Sequence, residues 1–262
     1  MKSNLKDQKK PAEKLFRKLC RKVGSTIYDH NMLESGDNLL VGLSGGKDSY
    51  ILLETLANRK KASPFRFEMS AVHVKVQNLD YQVDLEYMKT FCEDLGVPLA
   101  LREIQIDFGR DPGKAPCFVC SWHRRKEIFN FGKVIKCNKL AFGHHRDDAL
   151  ETLLMNMIYH GSVSSLPYTL RMFNGRVRLI RPLMDIWEKD LEEYSGYRNF
   201  SRGIKTCPYD DKTKRQAARL LIESMDKSYI KAKMNIFRSM NNIYPEYLPG
   251  SSKGKMSPED SD

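Results

Sequence analysis

An α/β fold, with a parallel twisted sheet covered by helices on both faces, is predicted by three observations in this 262-residue chain. Apolar strand-like runs alternate with helix-like segments from residue 38 to about 180, the pattern that makes helices the crossovers between parallel strands. One such run, 38–43, opens into Ser44-Gly45-Gly46-Lys47-Asp48-Ser49 and then a helix. Another, 139–143, opens into Gly143-His144-His145-Arg146-Asp147-Asp148 and then a helix. Both turns belong at the carboxyl ends of parallel strands, where such sheets bind ligands.

The elements follow in order. Residues 12–30 read as a helix, with Leu15, Leu19, Val23 and Ile27 four apart. The first strand, 38–43, is followed by a helix over 49–60. Glu68–Val76 is the second strand, and 80–95 a helix closed by Gly96 and Pro98. Leu99–Ile104 is the third strand, 107–116 a loop rich in Gly, Pro and Asp, and 121–136 a helix. After the fourth strand come a helix over 147–159 and a fifth strand over 176–180. From about 187 the pattern is helical and basic. The Ser, Lys, Pro and Asp tail is expected to be disordered. The expected organisation is a basic helical segment 1–35, a nucleotide-type α/β domain 36–185, a helical basic region 186–248 and a tail 249–262.

Hydrophobic residues make up 41%, enough for a core. No apolar stretch approaches the 18 or so residues of a membrane span. The N-terminal residues lack an apolar signal region, so a cytoplasmic protein is expected. Net charge is +11, from 44 Lys and Arg against 33 Asp and Glu, which suggests a polyanionic partner. The excess is concentrated in 1–22 and in 205–240, where Lys205, Lys212, Lys214, Arg215, Arg219, Lys227, Lys231, Lys233 and Arg238 stand. Solvated helix faces would look the same, so charge alone does not decide.

The first loop is a built anion site. Helix N-termini present unpaired N–H groups and the positive end of a dipole. Gly45 and Gly46 let the backbone turn tightly, Lys47 adds a cation, and Ser44 and Ser49 add hydroxyls. It is not a Walker A loop, because Asp48 stands where that loop needs Ser or Thr. In the second loop, Asp147 or Asp148 suits Mg²⁺, a hard cation that prefers oxygen ligands and phosphate partners. The competing reading has Asp147 cap a helix, which leaves the two histidines unexplained.

Six cysteines in a chain expected to be cytosolic do not suggest a disulfide framework. Cys20, Cys92 and Cys137 fall on apolar helix faces and read as small core residues. Cys117 and Cys120 form a C-x-x-C pair, and Cys207 stands in Lys205-Thr206-Cys207-Pro208-Tyr209. A redox pair, a zinc site and an iron–sulfur cluster held by three cysteines all remain open on this chemistry.

The loop Ser44–Ser49 resembles the pyrophosphate loop, SGGxDS, of the ATP pyrophosphatase superfamily, whose members cleave ATP between its α and β phosphates and adenylate a substrate. The order of that loop, P-C-x-x-C with Arg124-Arg125 behind it, G-H-H-x-D-D, R-P-L and a lone C-P resembles the tRNA cytidine 2-thiolation family over residues 15–245. Two departures stand out: Asp210 occupies a place where relatives often carry a further cysteine, and no zinc-finger cysteines appear at either end.

The resemblance implies the adenine nucleotide α hydrolase-like fold and 2-thiolation of cytidine 32 in tRNA through an adenylated base. It implies ATP, Mg²⁺ and a [4Fe-4S] cluster on Cys117, Cys120 and Cys207, with one iron free of protein ligands. Nucleotide contacts then fall to Ser44, Gly45, Gly46, Lys47, Asp48, Ser49, Gly143 and His144, and to the backbone around His73, where adenine would pack. Lys47, Asp48 and Asp148 become the catalytic set. The implied partners are tRNA and a cysteine desulfurase or other sulfur donor. The oligomeric state is left open, with a homodimer as the alternative to a monomer. The rivals are another adenylating enzyme on the same scaffold, such as a tRNA lysidine synthetase or a small-molecule amidating enzyme, and a non-catalytic iron–sulfur or RNA-binding regulator.

Overall fold

In the computed structural model, which describes residues 3–79, 81–110, 113, 115–201, 204–205 and 214–249, the strand feeding the first glycine loop is the centre of the molecule. This strand, β1 (Asn38–Gly42), pairs in parallel with β2 (Glu68–Val76) on one side and β5 (Lys139–Ala141) on the other. Outward from β2 lies β4 (Leu99–Ile104), and outward from β5 lies β7 (Val177–Ile180), both parallel. An antiparallel edge strand, β6 (Thr169–Met172), completes a six-stranded sheet in the order β4-β2-β1-β5-β7-β6. Chain order reverses between β1 and β5. In a doubly wound sheet the ligand crevice opens at that point.

Side chains of a strand alternate between faces, and the core divides accordingly. Leu39, Val41, Met69, Ala71, Ala141 and Ile180 face one layer, built from α1 (Ser3–Asp29), α2 (Lys47–Ala62), α3 (Leu85–Leu95) and α6 (Glu188–Arg198). Leu40, Val72, Val74 and Leu140 face the other, where α4 (Pro116–Val134) contributes Ile128. Helix α2 is buried almost all round because it lies between the sheet and α1 and α6. Two further helices, α7 (Lys214–Ser228) and α8 (Ala232–Ser239), pack on α5 (Arg146–His160).

The sequence pattern needs four corrections. Helix α1 runs from Ser3, and Leu15, Leu19, Val23 and Ile27 are all core residues. The helix expected over 80–95 begins at Leu85, because the Asp84 side chain accepts the Tyr87 N–H at 2.9 Å and so caps it. Ahead of it, Tyr81–Gln82 form a short strand, β3, paired with β8 (Ile204–Lys205). Helix α4 starts at Pro116 rather than 121, with proline in the first turn where its missing N–H costs nothing. Strand β6 was unanticipated; it reaches β7 through Phe173, Asn174 and Gly175, all at positive φ. Cys92 and Cys137 are buried and Cys20 half-buried, and burial pushes each thiol up to about 11. Among the described residues no helix is long and apolar enough to cross a membrane. Residues 250–262, expected as a tail, lie outside the described residues.

Candidate functional site

The first loop leaves β1 at Leu43 and enters α2 at Lys47. Gly45 takes φ +86, a left-handed conformation that side chains resist, and a Cβ there would fall 2.8 Å from Val83 Cγ1. Gly46 is the N-cap of α2 and gives it no side-chain cap, so the helix start is open to an anion. The turn is braced from within. Ser49 Oγ donates to the Gly46 carbonyl at 2.8 Å, and the Gly46 N–H reaches Ser44 Oγ at 3.3 Å. His73, fully buried on β2, brings Nδ1 to 2.8 Å from the Leu43 carbonyl. Burial holds this histidine below its ordinary range, so it acts as a neutral brace for the loop.

Lys47 is held in place by charge. Its Nζ lies 3.1 Å from Asp48 Oδ1 and 3.2 Å from Glu188 Oε1. Burial opposes its charge, but the two carboxylates outweigh burial and raise its pKa. Glu188, in the first turn of α6, is held low by Lys47 and Arg219 despite its own burial.

The second loop runs alongside the first. A Cβ on Gly143 would sit 3.1 Å from the Asp48 carbonyl, tighter than an ordinary contact, so glycine eases this close approach of the loops. The two neighbouring aspartates separate in role. Asp147 accepts the Glu188 N–H at 2.7 Å and pairs with Lys233 at 3.2 Å, so it caps α6 and ties down α8. Asp148 turns the other way. It accepts the His145 N–H at 2.9 Å and has Arg215 at 3.4 Å. Burial works against its ionisation, yet the His145 and His144 rings, that N–H and Arg215 hold its pKa low. One turn on, Glu151 takes Arg215 at 3.4 Å and Arg219 at 2.8 Å. Burial lowers His144 to about 4, leaving it neutral at pH 7.

Arg215, Arg219 and Lys233, expected to face tRNA, therefore turn inward onto the site's carboxylates. Lys227, Lys231 and Arg238 are exposed, and Lys212 lies outside the described residues. Sequence reasoning missed Glu188 and Glu151. The Asp148–Glu151 spacing places two acids on one helix face and was the available signal for Glu151.

Cys117 and Cys120 occupy the first turn of α4, three residues apart and so on one face. Val119 packs with Val76 and Ile106, beyond the carboxyl ends of β2 and β4, and Cys120 lies against that cluster. The cysteines therefore stand at the edge of the sheet that carries both loops. A helix N-terminus favours thiolate, the form that binds metal, so these two fit an iron–sulfur ligand pair. Cys207, the third expected ligand, lies outside the described residues.

An uncapped glycine loop and an acidic loop flanking the strand-order reversal define a nucleotide-binding protein of the pyrophosphate-loop class. The profile of the PP-loop domain matches residues 12–220. The tRNA-cytidine(32) 2-sulfurtransferase of Hahella chejuensis is 38% identical over 240 residues, 90% of this chain and 84% of that one. That of Marinobacter nauticus is 35% identical over 246 residues, covering 92% and 81%. Among solved structures, the U34-tRNA thiolase NcsA from Methanococcus maripaludis, described with its [4Fe-4S] cluster, superposes with a TM-score of 0.74 at 25% identity, covering 88% and 80%. The chain belongs to the PP-loop family and, within it, to the tRNA-cytidine(32) 2-sulfurtransferases.

Proposed function

We propose that this protein is an ATP-dependent tRNA sulfurtransferase that converts cytidine 32 to 2-thiocytidine through an adenylated base. The observation that carries the reading is the open N-terminus of α2 beside Lys47, at the strand-order reversal, in a chain whose relatives at 35–38% identity carry that activity in their names.

In this reading the nucleotide's phosphates lie on the N–H groups of the first loop, with Ser44, Gly45, Gly46 and Ser49 setting its shape. The 2-oxo oxygen of the base attacks the α-phosphorus and pyrophosphate leaves with the bonding pair. Lys47 and the loop N–H groups, already in place, stabilise the charge that develops on the phosphates. Asp48 and Asp148 would hold Mg²⁺, which would supply charge neutralisation at the phosphates. Asp48 Oδ1 is buried with only the Lys47 ammonium, 3.1 Å away, beside it, and a carboxylate oxygen in that setting suits a hard cation. Asp147 is engaged by the α6 N-terminus and Lys233, which favours Asp148 over it as the metal ligand in this reading. The backbone around His73 and the Gly143–His144 turn border the nucleotide. A sulfide equivalent then adds to C2, and AMP leaves with its oxygen. When bound by Cys117, Cys120 and Cys207, a [4Fe-4S] cluster supplies one iron with a position open to sulfide. A cysteine desulfurase or another donor delivers that sulfur, in the cytoplasm. The exposed cations of α7 and α8 add non-specific attraction for tRNA.

Nucleoside mass spectrometry of unmodified tRNA after incubation with anaerobically reconstituted protein, ATP, Mg²⁺ and sulfide tests the reading. 2-Thiocytidine is expected; thiolated uridine, or thiolated free nucleoside with tRNA ignored, refutes the substrate assignment. Cys117→Ala and Cys120→Ala protein should lose its iron while Cys92→Ala and Cys137→Ala protein keeps it. Stoichiometric zinc and no iron in the anaerobic wild type refutes the cluster.

A further inference from the structure

Helix α4 carries an outward face that the reaction just described does not use. Phe118, Trp122 and Lys126 stand four residues apart and so form one row along it. Phe118 is 52% and Trp122 46% exposed, while Val119 and Ile128 of the same helix are buried against the sheet. Exposed apolar residues scattered singly are ordinary; two large rings left in water one turn apart form a surface. Lys126 Nζ lies 5.1 Å from the centre of the Trp122 ring, a cation over an aromatic face. His123 meets the same ring at 83°, with centres 4.9 Å apart.

The charge of this face selects the kind of partner. Helix α4 holds Arg124, Arg125, Lys126 and Lys133 against one carboxylate, Glu127. Glu127 is only half-buried but accepts from Arg102 Nε at 2.9 Å, so its charge is answered on the β4 side. Arg125 and Lys126 are exposed beside the rings. Rings interleaved with cations and no free acid suit an unstacked RNA strand, which brings a flat face for each ring and a phosphate for each cation. The row also begins where a base has to arrive. Phe118 follows Cys117, and Val119 packs against Val76 and Ile106 beyond the carboxyl ends of β2 and β4. The row therefore leads away from the rim that carries both loops and the cysteine pair.

We propose that Phe118, Trp122 and Lys126 form a stacking platform for the single-stranded nucleotides that flank the target base. This rests on the tRNA substrate of the reading above. A base that enters an enclosed site leaves its stack, and its neighbours lose a stacking partner. The two rings replace that partner, and Lys126 lies beside the strand's phosphates. Stacking on a ring is tolerant of base identity, so the platform holds the strand in place and leaves the choice of base to the site itself.

The test uses the anaerobically reconstituted full chain with W122A, W122F, F118A and K126Q. Affinity for unmodified tRNA is measured by fluorescence anisotropy over a salt series, ATP affinity by calorimetry and iron by metal analysis. W122A should bind tRNA about tenfold more weakly. Stacking neutralises no phosphate, so W122A should keep the wild-type slope of log affinity against log salt, whereas K126Q should flatten it by roughly 0.7. W122F keeps a ring and should stay within about threefold of wild type. ATP affinity and iron content should be unchanged in all of them. Both rings are exposed, and F118A carries the test if W122A does not fold. Wild-type tRNA affinity in folded W122A and F118A overturns the platform. So does weakened binding confined to variants that have lost iron, which would make the rings supports of the metal site. Normal tRNA binding by W122A, with thiolation lost when a cysteine desulfurase but not free sulfide supplies the sulfur, gives the face to a protein partner and also overturns it. Wild-type protein that forms 2-thiocytidine while the variants bind normally refutes the platform alone. Wild-type protein that neither binds nor thiolates tRNA refutes the functional reading and the platform with it.

Discussion

The loop after β1 and the loop after β5 share one grammar, strand then glycine turn then helix, and serve opposite charges. The first leaves its helix start uncapped at Gly46 and places a cation, Lys47, beside it. The second closes its helix start with Asp148 on the His145 N–H and fills the remaining space with carboxylates. An open helix N-terminus takes an anion, whereas a closed one ringed by acids takes a cation. The meeting of the loops at Gly143 and the Asp48 backbone brings the open helix start and the acidic turn side by side, which the proposed reading uses for a metal-bound polyphosphate.

The largest expected break in this contrast is Lys47→Ala. It should lower ATP-dependent thiolation by roughly a hundredfold or more, because it removes a donor aimed at charge that develops in the transition state. The fold and the iron content should be unchanged. Normal turnover in this variant would mean that the anion site is misassigned.

A finer break separates neighbours in sequence. Asp148→Asn should cost roughly tenfold or more in turnover and raise the Mg²⁺ concentration needed. Asp147→Ala should instead cost about 1–2 kcal/mol of stability through the lost cap, a fall in Tm of a few degrees, with the Mg²⁺ requirement retained. Titrating activity with Mg²⁺ and melting both proteins checks the pair. The reverse assignment follows if Asp147→Ala alone shifts the Mg²⁺ requirement.

The smallest effect concerns His144. Its folded pKa, about 4, lies below an unfolded value near 6.5. The unfolded chain therefore binds more protons between those values. Stability is fully present above about 6.5 and falls as pH drops toward 4. His144→Gln should flatten that part of the stability curve measured by denaturant melts at a series of pH values. An unaltered curve would place His144 in water.

Which of these features could be read from the sequence depended on range. Hydrophobic alternation placed the strands, and Gly45, Gly46 and Lys47 announced the anion loop, because each rests on residues adjacent in the chain. The division of labour between Asp147 and Asp148 was invisible, since it is set by Glu188, Arg215 and Lys233, between 40 and 90 residues away in sequence. The same holds for Arg215 and Arg219, which read as surface cations until α7 packs on α5 and turns them onto Glu151. Strand β6 was missed because four residues with a mostly exposed pattern carry no periodic signal, and their pairing comes from the β7 edge. The start of α4 slipped because Pro116 read as part of the loop, although proline suits a first helical turn.

The central claim is that the first loop directs cleavage between the α and β phosphates to activate an RNA base. Phosphorus NMR of the reaction with unmodified tRNA, sulfide and ATP, run beside nucleoside mass spectrometry, tests it most directly. The account predicts AMP and pyrophosphate in equal amounts, each matching the 2-thiocytidine formed. ADP and inorganic phosphate as products, or 2-thiocytidine formed without ATP cleavage, would contradict it.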